Sequence, residues 1–471
     1  MSNKTNGSFG RLPKLRMYRG STMQVCGLWP YVVSAQTPSV GVPMGFSLQT
    51  GATVCCDPIN WFEKANLIFN PSAFVLGLPG LGKSTTIRHM LTGLHYQDVV
   101  PLILGDLKGE YIDLVRKLGG QVIRLGVGGR GYLNVLDPGN GLEAIRLLRT
   151  KNLYDEADAI MKDIEMRQLN LVTGLVAISR KSNTTDRETN LIAKALSSLN
   201  QLALDEGKTP VLNDLLELIR TPNAEMSYVV RDRGDKDKYQ DIIENLDVSL
   251  TGLIEGNQLG EIFSKQTSEP MQLDKPVCFD VSSIPDTQLD LQGAALLACW
   301  SEGFANLEIS HVLADNGLAP RRKYIVAIDE LWRALRSAGG MVDRVDALTR
   351  LNRSYGTGMI MATHTVKDFE ALALEEDRAK AANFIRNAGI VMTAGLDSVE
   401  VELLRKIVYI SKAEEKEIIS WSTPPGLEAE SSPAGAGKIM IKIAQRPGIP
   451  IKVLLVPGEA EVNDTNKRWD K

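Results

Sequence analysis

The sequence has no apolar run long enough to cross a bilayer. Its best candidate, residues 291–300, supplies about half of the ~20 residues a spanning helix needs. Any membrane association is therefore expected to be peripheral. The chain does not begin with the hydrophobic stretch of a signal peptide. Cysteine is scarce: Cys26, Cys55, Cys56, Cys278 and Cys299 are odd in number and show no C-x-x-C spacing. That pattern suggests neither a disulfide framework nor a zinc site, and it fits a reducing cytosol. A strong excess of one charge is missing too. A formal net charge of −4 excludes a polycation built to coat nucleic acid. The first 22 residues are the exception, with Lys4, Arg11, Lys14, Arg16 and Arg19 and no acid. This arm reads either as a solvated flexible tail or as a contact for an anionic membrane surface or DNA.

What is present is a globular composition, 44% hydrophobic and 23% charged. A length of 471 residues suggests about three domain-sized units. Gly77-Leu78-Pro79-Gly80-Leu81-Gly82-Lys83-Ser84 fits the phosphate-binding pattern G-x-x-x-x-G-K-[ST] at every fixed position. An apolar run at 73–76 reads as the strand before it, and 84–91 as the helix after it. The glycines let the loop curl so that backbone N–H groups point inward, and the helix N-terminus adds its positive dipole end. Lys83 is expected at the β- and γ-phosphates, with Ser84 in the Mg²⁺ shell. Pro79, Gly80, Leu81, Gly82, Lys83, Ser84 and Thr85 are thus candidate nucleotide contacts, and the cofactors implied are ATP and Mg²⁺.

Further strands are expected at 99–104, 121–125, 277–281, 324–328, 359–363 and 390–393, alternating in part with helices. This predicts a parallel α/β sheet covered on both faces. Residues 126–131 form a glycine-rich loop. From 141 to 275 the pattern is helical, with long helices expected at 142–166, 189–204, 211–219 and 239–253, and reads as an all-helical insertion. Residues 438–444 and 449–456 flank Arg446-Pro447-Gly448 as a C-terminal hairpin. The divisions expected are a basic arm (1–22), the first part of the core with the phosphate loop (23–140), the insertion (141–275) and the second part of the core (276–471).

Hydrolysis requires a carboxylate at the end of a buried strand near the metal. The run 324–328 ends in Asp329-Glu330. Asp329 is expected to hold Mg²⁺, largely through water, and Glu330 to deprotonate the attacking water. The run 359–363 ends in His364, which reads either as a sensor of the γ-phosphate or as a structural strand cap. Arg344, Arg350 and Arg353 lie between these strands, with Arg350 and Arg353 on one helix face. One of them could stabilise charge on the transferring phosphoryl group; surface solubility is the alternative for each.

Asn70-Pro71, Gly105-Asp106-Leu107-Lys108-Gly109-Glu110-Tyr111, Asp329-Glu330-Leu331-Trp332 and Arg353-Ser354-Tyr355-Gly356-Thr357-Gly358 occur in order. With the phosphate loop they resemble the TraC-type or VirB-type ATPases of conjugative type IV secretion, within the FtsK/HerA superfamily. The resemblance runs from about residue 25 to the end, including Asn463-Asp464-Thr465-Asn466-Lys467-Arg468-Trp469.

It implies a RecA-like P-loop motor with a helical insertion, hexameric on its partners although such motors can be monomers in solution. Such a motor powers pilus assembly or DNA or protein transfer, from the cytoplasmic face of the inner membrane and beside other secretion components. Carried over by position, Lys83 and Ser84 bind phosphate and Mg²⁺, and Glu330 is the catalytic base. Asp106 and Glu110 fall where the superfamily keeps acids on the strand next to the phosphate loop. Arg353 is the favoured arginine acting in trans, ahead of Arg446. Family members usually carry Gln at the position of His364 and a large N-terminal domain. Docking through such a domain is not assumed. The competing reading is a soluble FtsK/HerA-like DNA translocase or coupling-type pump. A nucleotide-binding scaffold is disfavoured by Glu330.

Overall fold

The structure, a computed structural model, describes residues 37–221, 224–256, 258–337, 356–372, 374–424 and 433–463, together with Val342 and Val345. The basic arm, Arg344, Arg350, Arg353, most of the loop at 424–437 and the residues after Asn463 lie outside the described residues.

The strands are β1 (Pro43–Ser47), β2 (Thr53–Cys55), β3 (Ser72–Leu76), β4 (Val99–Asp106), β5 (Gln121–Arg124) and β6 (Val277–Asp280). They continue with β7 (Lys323–Ile328), β8 (Thr357–Thr363), β9 (Ile390–Thr393), β10 (Lys438–Lys442) and β11 (Ile449–Val453). All join one 11-stranded sheet in the order β2-β1-β11-β10-β9-β3-β8-β7-β4-β6-β5. From β9 to β5 every pairing is parallel; from β9 through β10, β11 and β1 to β2 every pairing is antiparallel. Every residue of β3, β4 and β8 is buried. Their sequences are accordingly continuous apolar runs and do not alternate, as strands covered on both faces should be.

The expected C-terminal hairpin is β10–β11. The edge strand β2 and its neighbour β1 carry no apolar run and extend the sheet beyond what the sequence patterning indicates. A second correction concerns β4, which carries Asp106. It pairs with β7 and β6 and is separated from the phosphate-loop strand β3 by β7 and β8.

Register matters for function. Leu76 pairs with Thr363 and Thr393, Ile328 with Met361, and Ile103 with Ala327. Parallel strands in this register end together, so the segments after β3, β8, β7 and β4 meet at one edge.

One face of the sheet is covered by α1 (Lys83–His95) and α2 (Ile112–Lys117). The other carries the helical segment: α3 (Gly141–Thr150), α4 (Tyr154–Arg180), α5 (Asp186–Glu206), α6 (Leu212–Arg220), α7 (Lys236–Thr251) and, later in the chain, α8 (Leu289–Asp315). No strand occurs among the described residues of 141–275. The pattern read as one helix at 142–166 is two, broken at Asn152 in a left-handed conformation. Much of this segment shares a single core with the sheet, Leu171, Leu196 and Leu246 clustering with Leu102 and Val326.

Residues 291–300 belong to the 27-residue α8, buried along most of its length. No helix among the described residues is long and apolar enough to cross a membrane. The four described cysteines are all free.

The last described residues, 459–463, return to α1 and α2. Arg88 Nε donates to Asn463 Oδ1 at 2.7 Å, His89 Nδ1 sits 2.8 Å from Glu459 Oε2, and Lys117 Nζ meets Glu461 Oε2 at 2.6 Å. The other ring nitrogen of His89 faces the Pro43 carbonyl at 2.9 Å. Both nitrogens of His89 thus face acceptors.

Candidate functional site

The turn after β3 is shaped by Gly80 and Gly82, at φ +79° and +98°. These left-handed values favour glycine, and a Cβ on Gly80 would meet nothing, so conformation rather than crowding explains the residue there. Gly82 caps α1 without a side chain, leaving the first-turn N–H groups for an anion. Neighbouring segments brace the loop: Gly77 N donates to His364 O at 3.3 Å, Leu78 N to Gly395 O at 3.0 Å, and Gly437 N to Leu81 O at 3.1 Å.

Lys83 is buried, and its Nζ reaches Gly77 O at 2.5 Å and His364 Nδ1 at 2.7 Å. Burial lowers its pKa to about 8, against the opposing pull of Asp329 and Glu330. Ser84 Oγ stands 3.4 Å from Asp329 Oδ2, which also accepts from Tyr111 Oη at 2.9 Å. Burial, and then the Glu330 charge, hold Asp329 above the usual carboxylate range. A hydroxyl and a carboxylate facing each other beside a buried ammonium suit a hard divalent cation and phosphate. The residues present therefore fit Mg²⁺ and ATP, with Ser84 and Asp329 as metal holders and Lys83 and the Gly80 to Ser84 backbone as phosphate holders.

Glu330 is buried and adopts φ +53°, a backbone region uncommon for a non-glycine residue that costs on the order of 1–3 kcal/mol. Its carboxylate is held from three sides. Lys108 forms an ion pair with Oε1, His364 Nε2 lies 2.9 Å from the same oxygen, and Trp332 Nε1 donates to Oε2 at 2.6 Å. Burial alone would raise its pKa, but His364 and Lys108 outweigh burial and keep it well below the ordinary glutamate range. His364 thus contacts both Lys83 and Glu330, from the strand between theirs.

The remaining sequence-derived candidates divide. Asp106 turns back on its own loop, accepting from the backbone N–H of Lys108, Glu110 and Tyr111 at 3.2, 3.1 and 2.8 Å. Burial raises its pKa to about 6 in spite of these donors. Its structural work is to fix the loop that carries Lys108 and Tyr111. Glu110 pairs with Arg88 of α1 at 3.2 Å, and Thr85 Oγ1 accepts from the same arginine at 3.4 Å. Thr85 lies in the first turn of α1 and Glu110 beside that helix, both bonded to Arg88, and the Glu110 charge acts on Lys83, Lys108 and Asp329. Arg446 is exposed in the β10–β11 turn. Lys108, Tyr111 and Trp332 were not singled out by the sequence, although each lies inside a quoted motif. No group of three or more potential metal-ligating side chains occurs among the described residues.

Residues 64–298 match the family model described as the central domain of helicase HerA, a stretch containing the phosphate loop. Among solved structures, VirB4 of Thermoanaerobacter pseudethanolicus aligns at TM-score 0.64 and 19% identity, covering 91% of this chain and 100% of that one. Plasmid coupling protein TrwB, in complex with the non-hydrolysable ATP analogue ADPNP, aligns at TM-score 0.51 and 12% identity over 96% and 97% of the two chains. At these identities the likeness is one of fold. No curated protein matches the sequence.

Proposed function

We propose that this chain, a HerA-type P-loop protein with the fold of VirB4, is the ATP-hydrolysing motor of a conjugative secretion apparatus. The observation that carries the reading is the convergence of Lys83 and Ser84, after β3, with Asp329 and Glu330, after β7, across the end of the intervening parallel strand β8. Bound ATP and Mg²⁺ would supply the electrophilic phosphorus and screen its charge. Lys83 and the first-turn N–H groups hold the phosphates, and Ser84 and Asp329 hold the metal. Glu330 takes the proton of the attacking water, with its carboxylate oriented by His364. Since a neighbouring arginine is worth ~10³–10⁵ in rate in such motors, a ring of subunits completes the site, with Arg353 as the donor in trans.

Turnover by the purified full chain with Mg²⁺, its loss in chelator, and a rise of specific activity with protein concentration test the enzyme and its assembly. Transfer frequency in a strain lacking the chain, restored by wild type and not by Lys83→Ala, tests the role in secretion. The match to a helicase domain favours a second reading, a soluble DNA translocase. Strong stimulation of turnover by double-stranded DNA, with transfer unaffected, would favour it over secretion.

A further inference from the structure

The arrangement around Glu330 is that of a base held back. Its Oε1 is shared between Lys108 and His364, and its Oε2 is engaged by the Trp332 indole. A carboxylate with both oxygens engaged by donors, two of them on Oε1, has less acceptor capacity left for a water proton. The donors differ in how they are mounted. His364 follows the end of β8, and Trp332 lies in the first turn of the helix Leu331–Ser337 that follows β7. Lys108 projects from a loop whose backbone is pinned by Asp106, but its own side chain is 39% exposed and unbranched. It is the donor that can leave.

Lys108 is also close to where the phosphates bind. Lys83, His364, Glu330 and Lys108 form one chain of direct contacts. The cationic end of Lys108 is thus separated from the phosphate-binding lysine by two side chains only. We infer that Lys108 is a positioning residue that senses the γ-phosphate: without nucleotide it sequesters Glu330, and a nucleoside triphosphate draws it away and releases the base. A diphosphate lacks the terminal group and leaves the Lys108–Glu330 pair in place. The inference rests on the assignment of Lys83 to Ser84 as the nucleotide site.

Trp332 provides a direct reporter, because its indole N–H is bonded to the carboxylate that would be released. The experiment compares equilibrium binding of MgADP and a non-hydrolysable MgATP analogue to the full chain, together with tryptophan emission. It uses wild type, Lys108→Met, Lys108→Arg and Trp332→Phe. In wild type the analogue, and not ADP, should change the emission, and Trp332→Phe should abolish that change. Lys108→Met should leave ADP affinity within about twofold and reduce the preference for the analogue over ADP by about tenfold, the size of one charge-assisted hydrogen bond. Lys108→Arg should restore most of the preference.

Equal preference in wild type and Lys108→Met, with the emission change intact, would show that Lys108 is a fixed ion-pair partner and overturn the inference alone. Failure of wild type to bind either nucleotide would overturn the assignment of the site, and the inference with it. Melting temperatures of the Lys108 variants guard against misfolding, and the arginine variant gives the same answer if the methionine variant does not fold.

Discussion

His364 Nε2 lies 2.9 Å from Glu330 Oε1, while the other nitrogen of the same ring lies 2.7 Å from Lys83 Nζ. An ammonium can only donate, so Nδ1 must accept and the ring proton must sit on Nε2, pointing at the carboxylate. The ring therefore joins Lys83 to Glu330, and a glutamine could do the same with its two amide ends. His364→Gln should keep turnover within about tenfold of wild type, whereas His364→Leu should fall further, since it strips a hydrogen-bond partner from each of two buried charges. Steady-state rates for the two variants check this, and equal losses would show that the ring matters only as packing.

Lys83→Ala should abolish hydrolysis and weaken nucleotide binding. Lys83 is the only cationic side chain in the loop, and its Nζ already rests on the Gly77 carbonyl at 2.5 Å, inside the curl of the turn. Titration with labelled ATP and a phosphate-release assay measure both effects. Near-normal turnover would move the active site elsewhere.

Glu330→Gln should separate chemistry from binding. General-base loss costs ~10²–10⁴ in rate, while Ser84 and Asp329 remain to hold the metal. The variant should bind ATP and fail to turn it over. Loss of both together would make Glu330 a structural residue, a role its strained backbone at φ +53° would then also have to explain.

His89 sets a pH dependence on the hold between α1 and the chain end. Burial would lower its pKa, but hydrogen bonding to Glu459 and to the Pro43 carbonyl outweighs burial and raises it. The folded pKa exceeds the unfolded value of about 6.5. The contribution is thus complete below that value and is lost as pH rises through the folded pKa. Wild type should lose stability relative to His89→Gln as pH climbs from about 6 to 8. Thermal melts of both proteins across that range would show it, and a constant difference would mean that folding leaves the pKa of the ring unchanged.

The strands of the parallel core were legible because burial on both faces demands unbroken apolar runs, and β3, β4 and β8 have them. β1 and β2 were not, since Pro43-Met44-Gly45-Phe46-Ser47 mixes exposed Pro43 and Phe46 with buried Met44, Gly45 and Ser47 and follows neither a continuous nor an alternating pattern. α8 was read only as its apolar first part. Its later polar residues, Glu302, Asn306 and Ser310, are buried among partners that no local pattern reveals: Arg167, Asn140 and Tyr324. The site divides the same way. Lys83, Ser84, Asp329 and Glu330 sit in contiguous motifs whose chemistry is local. Lys108 and Tyr111 acquire roles only because β4 lies beside β7, a neighbour set by topology and 222 residues away in the case of Lys108 and Glu330. The same topology removes Asp106 from the side of the phosphate loop.

The placement of β8 between β3 and β7 also sets a length. Two strand spacings separate the axes of β3 and β7, about 9.5 Å. The side chains span that distance through the single ring of His364, with Lys83 Nζ 2.7 Å from one nitrogen and Glu330 Oε1 2.9 Å from the other. The sheet thus acts as a ruler whose graduations are backbone hydrogen bonds, far stiffer than any loop. Changes in side chains at the edge can alter how well this gap is filled, but its width belongs to the strand order.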